Sequence, residues 1–532
     1  MNDTGKLASG TGSSAPNSSY VMLVSLVVAL GGFLMGFDSG VIGGVVEPVR
    51  EGFALDDASV GWVVACLTLG ATLAMAIAGP LADRYGRRPI LMMTAALFTV
   101  SAAGSAWAPN ADLLAIARVV GGFGVGGALL IAPMYIAEIA PPEQRGKLVS
   151  FNQLNIVLGF SASFFSNYFI NGAISEDGAI TNENAWRIML GVETIPAALY
   201  LGLLFLVPRS PRWLASRGRT DEALAVLERT SGAGAAGEAL RVIEESLAKA
   251  ASASRARLGD LFNRRMGKVM AIGLGLGFFQ QITGINAIFY YAPTIFEMSG
   301  ADRDSALFQA IVVGLVNVGF TLIAMWLIDR AGRRPLLLVG TSLMAVALFT
   351  NAYSFQQATY TLAPQTTASL GESTQAALEG VTGQEFGDQR SFVWALEEAA
   401  STLPANEGAA LMGQAQDLAK KALSINGTLV LLAICLFIAG FAISLGPVMW
   451  AMFSEIFPLR VRGLAISVAG FFNSAISYLV QQAFPVGMGS LGPAIVFAIF
   501  GTFAVLALLF TIFVVPETKG RSLEELEAEL VG

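Results

Sequence analysis

The strongest constraint on the fold is a succession of twelve apolar stretches separated by polar segments. Roughly 20 mainly apolar residues are enough for one helix to cross a bilayer. A helix also hydrogen-bonds its own backbone groups where water is absent. Only 13% of the residues are charged, whereas soluble proteins carry about 25%. The sequence therefore predicts an all-α membrane protein with spans at residues 20–46, 60–82, 90–108, 112–138, 148–171, 187–207, 266–297, 305–328, 335–353, 425–455, 461–484 and 493–515.

Two long polar segments interrupt these spans. Residues 208–265 follow the sixth span and contain helical patterns such as TDEALAVLERT. Residues 354–424 follow the ninth span, and the stretches SFVWALEEAASTL and GQAQDLAKKALS predict a small helical cap. The N-terminal residues are rich in Ser, Gly and Asn, which is typical of disorder. The predicted organisation is a disordered tail at 1–19, a six-helix bundle at 20–207, a helical domain at 208–265, a second six-helix bundle at 266–515 that includes the insert 354–424, and a C-terminal tail at 516–532.

Positive charge predicts the orientation of the chain in the membrane. Placing the N-terminus in the cytoplasm puts 25 of the 32 Lys and Arg residues on the cytoplasmic side and six outside, with Arg118 inside the fourth span. Cytoplasmic loops of membrane proteins carry an excess of these residues. Both termini are therefore expected in the cytoplasm, and the insert is expected to face outward.

The two halves of the chain repeat each other. ADRYGRRP at residues 82–89 recurs as IDRAGRRP at 328–335, and EIAPPEQRG at 138–146 recurs as EIFPLRVRG at 455–463. The two pairs differ in offset by the length of the insert, so without it both halves share one register. A six-plus-six parallel repeat is typical of a large transporter fold whose substrate site lies between the halves near the bilayer midplane.

The repeated loops place charged residues at helix ends on the predicted cytoplasmic side. Asp83 and Asp329 stand beside arginines, so charge-assisted pairs between helices are expected. Pairs formed across the two halves would close this side, although membrane topology alone also explains basic loops. The predicted inner-gate residues are Asp83, Arg87, Arg88, Glu138, Arg145, Asp329, Arg333, Arg334, Glu455 and Arg462.

Several classes of function are disfavoured. The net charge of -7 gives no reason to expect nucleic acid as a partner. The two cysteines, Cys66 and Cys435, lie in apolar runs and imply no disulfide framework. The sequence presents no catalytic constellation, metal cluster or cofactor motif, so an enzyme is not expected. The chain has no histidine, so proton chemistry near neutral pH would rest on carboxylates.

Polar side chains recur inside the predicted spans. Span seven carries Gln280, Gln281, Asn286 and Tyr290 over one broad helical face. Carboxamides both donate and accept hydrogen bonds, which matches the hydroxyls of a sugar. Membrane Asn and Gln also join helices to one another, which is the alternative explanation. The candidate substrate-binding residues are Gln153, Gln280, Gln281, Asn286, Tyr290, Asn317, Trp450 and Asn473.

Charged residues inside the spans are a separate signal. Asp38 lies in the apolar stretch LGGFLMGFDSGVIGG, and Glu193 lies in span six. A charge at the centre of a span costs about 2.5–3.5 kcal/mol on insertion scales. Asp38 is therefore expected to face the bundle interior and to find a partner or take up a proton. Arg118 is the only arginine predicted in mid-membrane.

The chain resembles the sugar porter family of the major facilitator superfamily. The motifs that carry the resemblance run from span two to the C-terminus: GPLADRYGRR, PMYIAEIAPPEQRG, SPRWL, FQQITGINAIFYYAP, DRAGRR, GPVMWAMFSEIFPLRVRG and VPETKGRSLEEL. The pattern is nearest to the bacterial proton-coupled sugar symporters of that family. The resemblance implies a major facilitator fold with two six-helix bundles, a helical domain at 208–265 that braces them, and a bacterial inner-membrane location.

The resemblance also implies roles for the polar residues. It places the sugar site mainly in the C-terminal half, on the carboxamide positions given above. It places Asp38 and Arg118 close together, away from the sugar, with Glu193 as a second buried acid. Two explanations of this pair remain: a fixed ion pair that locks helices one and four, or a switch in which Asp38 alternates between charged and protonated forms.

Three positions depart from the family pattern. The family has an aromatic residue at the position of Met35, a tryptophan at that of Ser474, and a glutamate at that of Arg209. The first two changes predict a less aromatic sugar pocket. The third adds a positive charge on the cytoplasmic side and predicts a weakened or rewired inner gate.

The function that these features favour is proton-coupled symport of a monosaccharide, a hexose or a pentose, by alternating access. The alternative is a facilitative uniporter of the same fold, in which Asp38 is purely structural. A sugar sensor is disfavoured by the short C-terminal tail, and a drug antiporter by the carboxamide row. The expected partners are a monosaccharide, protons and the lipid bilayer, with no nucleic acid and no cofactor, and the chain is expected to act as a monomer.

Overall fold

A computed structural model describes residues 18–141, 144–252, 257–263, 266–368, 370–458, 460–521 and 523–531. Within these residues, twelve helices are long and apolar enough to cross a membrane. The predicted all-α fold with twelve spans is confirmed. The predicted disordered tail lies almost entirely outside the described residues. The spans, numbered one to twelve, are Ser18–Gly44, Asp57–Tyr85, Arg87–Ala106, Ala111–Ile139, Gly146–Gly172, Ala185–Leu204, Gly267–Tyr290, Arg303–Ala331, Arg333–Gln356, Gly427–Ile456, Arg462–Ser490 and Pro493–Phe513.

Several spans are interrupted rather than continuous. Span six is broken into Ala185–Gly191 and Thr194–Leu204, and span ten into Gly427–Ile443 and Leu445–Ile456. Span seven consists of Gly267–Ile282 and Ile285–Tyr290, joined at Gly284, and is followed by the helix Ala292–Met298. Broken helices in membrane transporters commonly mark the binding site.

The break in span seven depends on Gly284. Its φ is +90°, in the left-handed region that favours glycine. A Cβ atom here would also lie 2.5 Å from the ring of Phe500. The break separates Gln280 and Gln281, on one helical segment, from Asn286 on the next.

The internal repeat is visible in how corresponding spans begin. At the starts of spans two and eight, the side chains of Asp56 and Asp302 each accept a hydrogen bond from the backbone N–H of the residue three positions later. Asn110 and Asn426 do the same at spans four and ten. Hydrogen bonds from the serine three residues on hold the pKa of the Asp56 and Asp302 carboxyls below its usual range. Capping groups of this kind fix where each helix starts.

Spans one to six form the first half of the molecule and spans seven to twelve the second. The halves meet where span two packs on span eleven and span five on span eight. Both seams contain glycines in close contact: a Cβ on Gly61 would lie 2.4 Å from the carbonyl oxygen of Gln482, and one on Gly314 would lie 3.1 Å from Phe164.

Within the first half, spans one and five are in close contact at Gly36. A Cβ atom on Gly36 would lie 1.9 Å from the backbone carbonyl oxygen of Ile156. Neither backbone can move away without separating the helices, because small residues are what allow membrane helices this close an approach.

Gly36→Ala is therefore expected to destabilise the protein by about 1–3 kcal/mol, the usual cost of overpacking. The measurement is thermal unfolding in detergent. Gly202→Ala is the matched control, because Gly202 also lies in a span but has nothing within 4 Å of its Cβ position. Equal melting temperatures for the two variants would contradict the close packing of spans one and five.

In the described part of the segment after span six there are four helices: Pro211–Ser216, Thr220–Ser231, Ala233–Ser252 and Leu258–Leu261. They lie on the side of the bundle that carries the loops 83–88 and 329–334, which we call the basic face. The C-terminal helix Leu523–Val531 packs against span ten on the same side. The predicted helical character of residues 208–265 is thus found in the part of that segment that the structure describes.

The opposite side, which we call the cap face, carries the insert between spans nine and ten. Helices at Gln389–Ser401 and Ala415–Ala422 match the two amphipathic stretches, and buried Leu362, Phe392 and Leu396 belong to a separate small core. The remaining helices of the insert are Pro364–Thr367, Glu372–Ala377 and Ala405–Gly413.

The prediction of a purely helical cap is wrong in one respect. Three short strands, β1 (Thr359–Thr361), β2 (Glu385–Phe386) and β3 (Leu423–Ser424), form a sheet in the order β2-β1-β3. The antiparallel pairing of β1 with β3 joins the chain entering the cap to the chain leaving it. Strands of two or three residues are too short to give an alternating pattern in the sequence.

Candidate functional site

A buried ion pair lies inside the first half. Arg118 Nη1 in span four is 3.2 Å from Asp38 Oδ1 in span one, and the two residues are 1% and 4% exposed. A Cβ atom on Gly121 would lie 3.1 Å from the other carboxylate oxygen of Asp38, so the glycine leaves room for this side chain. The structure therefore brings together the two residues that the resemblance pairs.

Glu193 is the second acid at this place. It lies at the break in span six, is 3% exposed, and interacts electrostatically with both Asp38 and Arg118. Among the described residues, Glu193 Oε1 and the Nε and Nη2 atoms of Arg118 have no hydrogen-bond partner. One guanidinium thus lies near two carboxylates while some of its N–H groups remain unpaired.

Four of the predicted carboxamides form one cluster in the second half. Asn473 Nδ2 in span eleven donates to Gln280 Oε1 at 2.8 Å. Gln281 Nε2 lies 3.2 Å from Gln280 Oε1 and 3.3 Å from Asn473 Oδ1. Asn286 Nδ2 donates to Gln281 Oε1 at 2.9 Å. These carboxamides bond mainly to one another, and a polyhydroxylated ligand supplies both donors and acceptors for them.

The other predicted substrate-binding residues lie outside this hydrogen-bonded cluster. Asn317 is buried and Gln153 is half-buried. Trp450 is 39% exposed, and its ring meets that of Phe453 edge-on at 5.6 Å. Tyr290 is buried and stacks on Phe160 of span five with ring centroids 6.1 Å apart. Tyr290 therefore joins the second half to the first.

Two residues of this polar region were missed from the sequence. Ser477 Oγ accepts hydrogen bonds from Asn286 Nδ2 and from Gln481 Nε2, both at 2.7 Å. Asn473, Ser477 and Gln481 follow one another at intervals of four, so they share one face of span eleven. That spacing was the signal that would have identified them.

On the cap face, side chains tie the two halves together. Arg303 at the start of span eight donates to the carbonyl oxygen of Gly44 at 2.7 Å and to Asn171 Oδ1 at 2.9 Å. Asn171 Nδ2 donates to Asp304 Oδ1 at 2.6 Å. Within the second half, Arg390 of the cap also donates to the carbonyl oxygen of Ser490 at the end of span eleven. The cap face is therefore closed.

On the basic face, the repeated loops form two matching networks. Arg87 pairs with Glu138 at 2.9 Å and with Asp83 at 3.1 Å. Arg333 pairs with Glu455 at 2.8 Å and with Asp329 at 3.3 Å. Each of these half-buried glutamates also accepts a hydrogen bond from a hydroxyl: Glu138 from Ser210 and Glu455 from Thr518, both at 2.5 Å.

The remaining predicted inner-gate arginines bind backbone carbonyl oxygens. Arg88 donates to Leu204 and Phe205, Arg334 to Ile512, and Arg462 to Phe457. The side chain of Arg145 lies outside the described part of the structure. All the described pairs of these residues join groups of the same half, so the described part of this structure does not contain the cross-half pairs that would close the basic face. This has a physical reason, since the halves are held together at the cap face.

The departure at Arg209 distinguishes the two networks. In the second half, Glu517 accepts hydrogen bonds from the N–H groups of Arg333 and Arg334, both at 3.0 Å, and so caps span nine. Arg209 is the counterpart of Glu517 in the repeat, and its guanidinium lies over the ring of Trp213 at 5.8 Å. Span three begins at Gly86 without a side-chain cap, and no acid among the described residues forms an ion pair with Arg209.

These features together indicate the class of protein to which the chain belongs. Two repeated six-helix halves, a polar cluster between helices and a buried ion pair within the membrane are the features of a transporter of small polar solutes. The family model described as "Sugar (and other) transporter" matches residues 24–368 and 399–530. The chain belongs to this sugar transporter family, and the resemblance seen in the sequence is confirmed.

Individual relatives agree with this assignment. The D-xylose-proton symporter of Escherichia coli is 35% identical, with 96% of each chain covered. The arabinose-proton symporter of Bacillus subtilis is 34% identical and covers 96% of this chain and 94% of its own. The solved inward open structure of the xylose transporter XylE from E. coli superposes with a TM-score of 0.74 at 32% identity, covering 96% of this chain and all of that one. The named activities of these relatives are transport, and the chain is a multi-pass membrane protein with twelve spans.

Proposed function

We propose that this chain is a proton-coupled symporter of a monosaccharide, a hexose or a pentose, that works by alternating access. The observation that carries the proposal is the combination of an ionisable pair, Asp38 and Arg118, in one half with a carboxamide cluster in the other. The proton symporters of D-xylose and arabinose among its relatives support the same combination of cargo and driving ion.

The proton is carried by Asp38. A buried carboxylate is stable when it is paired with a cation or protonated, and the membrane interior disfavours every other state. While Asp38 is charged, it holds Arg118. Protonation of Asp38 releases Arg118, whose unpaired N–H groups then turn to Glu193. This exchange of partners loosens the contact between spans one and four and lets the halves rock.

The sugar occupies the carboxamide cluster of the second half. Its hydroxyls replace the bonds that Gln280, Gln281, Asn286 and Asn473 make with each other, so no buried polar group is left without a partner. Gln153, Asn317 and Trp450 complete the site from neighbouring spans, and Tyr290 completes it from the end of span seven. An aromatic face such as that of Trp450 contacts the C–H surface of the sugar ring.

The proposed conformation is one open toward the basic face. The cap face is closed by cross-half hydrogen bonds, and the inner-gate pairs remain within each half. The bias of Lys and Arg supports a cytoplasmic position for the basic face and for both termini. The likeness to an inward open relative supports the same orientation.

The remaining parts of the chain follow from this orientation. Residues 20–207 and 266–515 are the two transport bundles, and the helices within 208–265 brace them on the cytoplasmic side. The insert 354–424 forms an outward-facing cap, residues 516–532 are a cytoplasmic tail, and the chain works as a monomer in the bacterial plasma membrane.

Uptake into proteoliposomes tests the proposal. We expect a monosaccharide to accumulate above its external concentration only when an inward proton gradient is imposed, by about tenfold per pH unit for one proton per sugar. A panel of hexoses and pentoses identifies the cargo, and dissipating the gradient with a protonophore is the control. Equilibration without accumulation would support a uniporter instead, and absence of sugar binding would contradict the site.

A further inference from the structure

The polar groups of the carboxamide cluster continue beyond it along span eleven. Ser477 Oγ accepts from both Asn286 Nδ2 and Gln481 Nε2, so the hydroxyl links the two carboxamides. Gln481 is fully buried, with 0% of its surface exposed. A buried carboxamide that lost its partners would be costly, so this arrangement is strongly determined.

The chain of hydrogen bonds then crosses from one half to the other. Thr68 Oγ1 in span two donates to Gln481 Oε1 at 2.9 Å. Thr68 lies next to Tyr290, and the same tyrosine lies next to Ser39, the residue that follows Asp38. Polar side chains therefore follow one another from the carboxamide cluster to the neighbourhood of the Asp38–Arg118 pair.

The Thr68–Gln481 hydrogen bond lies at a seam that must open when the transporter changes conformation. Spans two and eleven form one of the two seams between the halves, and the cap face is closed in this structure. When the cap face opens, spans two and eleven separate and the Thr68–Gln481 bond breaks. The Thr68–Gln481 bond can re-form only if the Gln481 side chain is correctly oriented, and Ser477 sets that orientation by accepting a hydrogen bond from it. The Ser477 hydroxyl in turn accepts a hydrogen bond from Asn286 of the carboxamide cluster.

We propose that Gln481 is a positioning residue that couples occupancy of the carboxamide site to closure of the cap face. Sugar binding fixes Asn286, Asn286 orients Ser477, and Ser477 presents Gln481 to Thr68. The proposal rests on the assignment of the carboxamide cluster as the sugar site. Gln481 itself need not touch the sugar.

The neighbouring Gln482 provides a matched control. Its Nε2 atom also crosses the seam, to the carbonyl oxygen of Ala58 at 2.8 Å, but it has no hydrogen bond to the carboxamide cluster among the described residues. Comparison of Gln481→Leu with Gln482→Leu therefore separates a link to the sugar site from a simple contact between halves.

The experiment measures the cap-face distance in the full-length protein, with Cys66 and Cys435 replaced by serine. Spin labels are placed at the exposed positions 51 and 491, in the first and second halves, and distances are recorded with and without the sugar found in the uptake panel. In the otherwise unchanged protein and in Gln482→Leu, sugar is expected to shift the distribution toward the shorter, closed distance. In Gln481→Leu this shift is expected to be lost, while equilibrium sugar affinity changes less than threefold.

Thr68→Val removes the same bond from the opposite side with almost no change in volume. It is expected to reproduce the effect of Gln481→Leu, so the test does not depend on one variant folding well. A sugar-induced shift that survives in both variants would overturn the coupling role, as would loss of sugar affinity in Gln481→Leu by more than tenfold. Absence of sugar binding in the unchanged protein would instead contradict the proposed function.

Discussion

Asp38→Asn is expected to abolish accumulation of sugar against its gradient while leaving exchange of sugar across the membrane intact. Asparagine keeps the size of the side chain and a carbonyl oxygen that accepts from Arg118 Nη1, now 3.2 Å from Asp38 Oδ1. It cannot bind or release a proton. The accumulation ratio in proteoliposomes should therefore fall from about tenfold per pH unit to unity.

Two measurements and a control variant make this result specific. Counterflow of labelled sugar requires no net proton movement and should persist, whereas alkalinisation of the medium during sugar uptake should disappear. Asp112→Asn is the matched control, because Asp112 is an exposed acid in the first turn of span four, the helix that carries Arg118. Accumulation that survives in Asp38→Asn would assign the pair a purely structural role.

Much of the fold was predictable because the membrane imposes strong rules on a sequence. Apolar length alone located all twelve spans, mostly to within three residues at each end. The two largest differences come from helix continuity. Span seven ends at Tyr290, where the sequence predicted 297, and span eleven runs through Pro485 to Ser490, where the sequence predicted 484. A proline stops few membrane helices, because neighbouring groups satisfy the backbone that it frees. The strands of the cap could not be predicted, since pairing between residues far apart leaves no local pattern.

The candidate site was predictable in part for a related reason. Buried charges and carboxamides are conspicuous in an apolar span, so Asp38, Arg118 and the cluster around Gln281 could be identified from residue type. Ser477 and Thr68 were missed because hydroxyls are common in membrane helices and usually bond to their own backbone. The sequence also could not predict whether the inner-gate pairs form within one half or between the halves, because that depends on which side of the transporter is open.

Gln281→Ala is expected to weaken sugar binding by about 10- to 100-fold, the effect of losing one to two buried hydrogen-bonding groups at about 1–1.5 kcal/mol each. Gln281 is at the centre of the cluster, since its carboxamide contacts those of Gln280, Asn286 and Asn473. The substitution removes bonds to the sugar and leaves neighbouring carboxamides short of partners. Binding is measured by titration calorimetry in detergent, with the sugar identified in the uptake panel.

The alternative explanation, that Gln281 only joins helices, makes a different prediction. A joining role would lower the melting temperature of the empty protein, with the sugar-induced rise in melting temperature left intact. A binding role would remove most of that rise, because a ligand stabilises a protein only as far as it binds. Asn351→Ala is the matched control, since Asn351 is a fully buried membrane carboxamide that donates to the carbonyl oxygen of Ala347 in its own helix. A full sugar-induced rise in Gln281→Ala, equal to that in Asn351→Ala, would remove the carboxamide cluster as the sugar site.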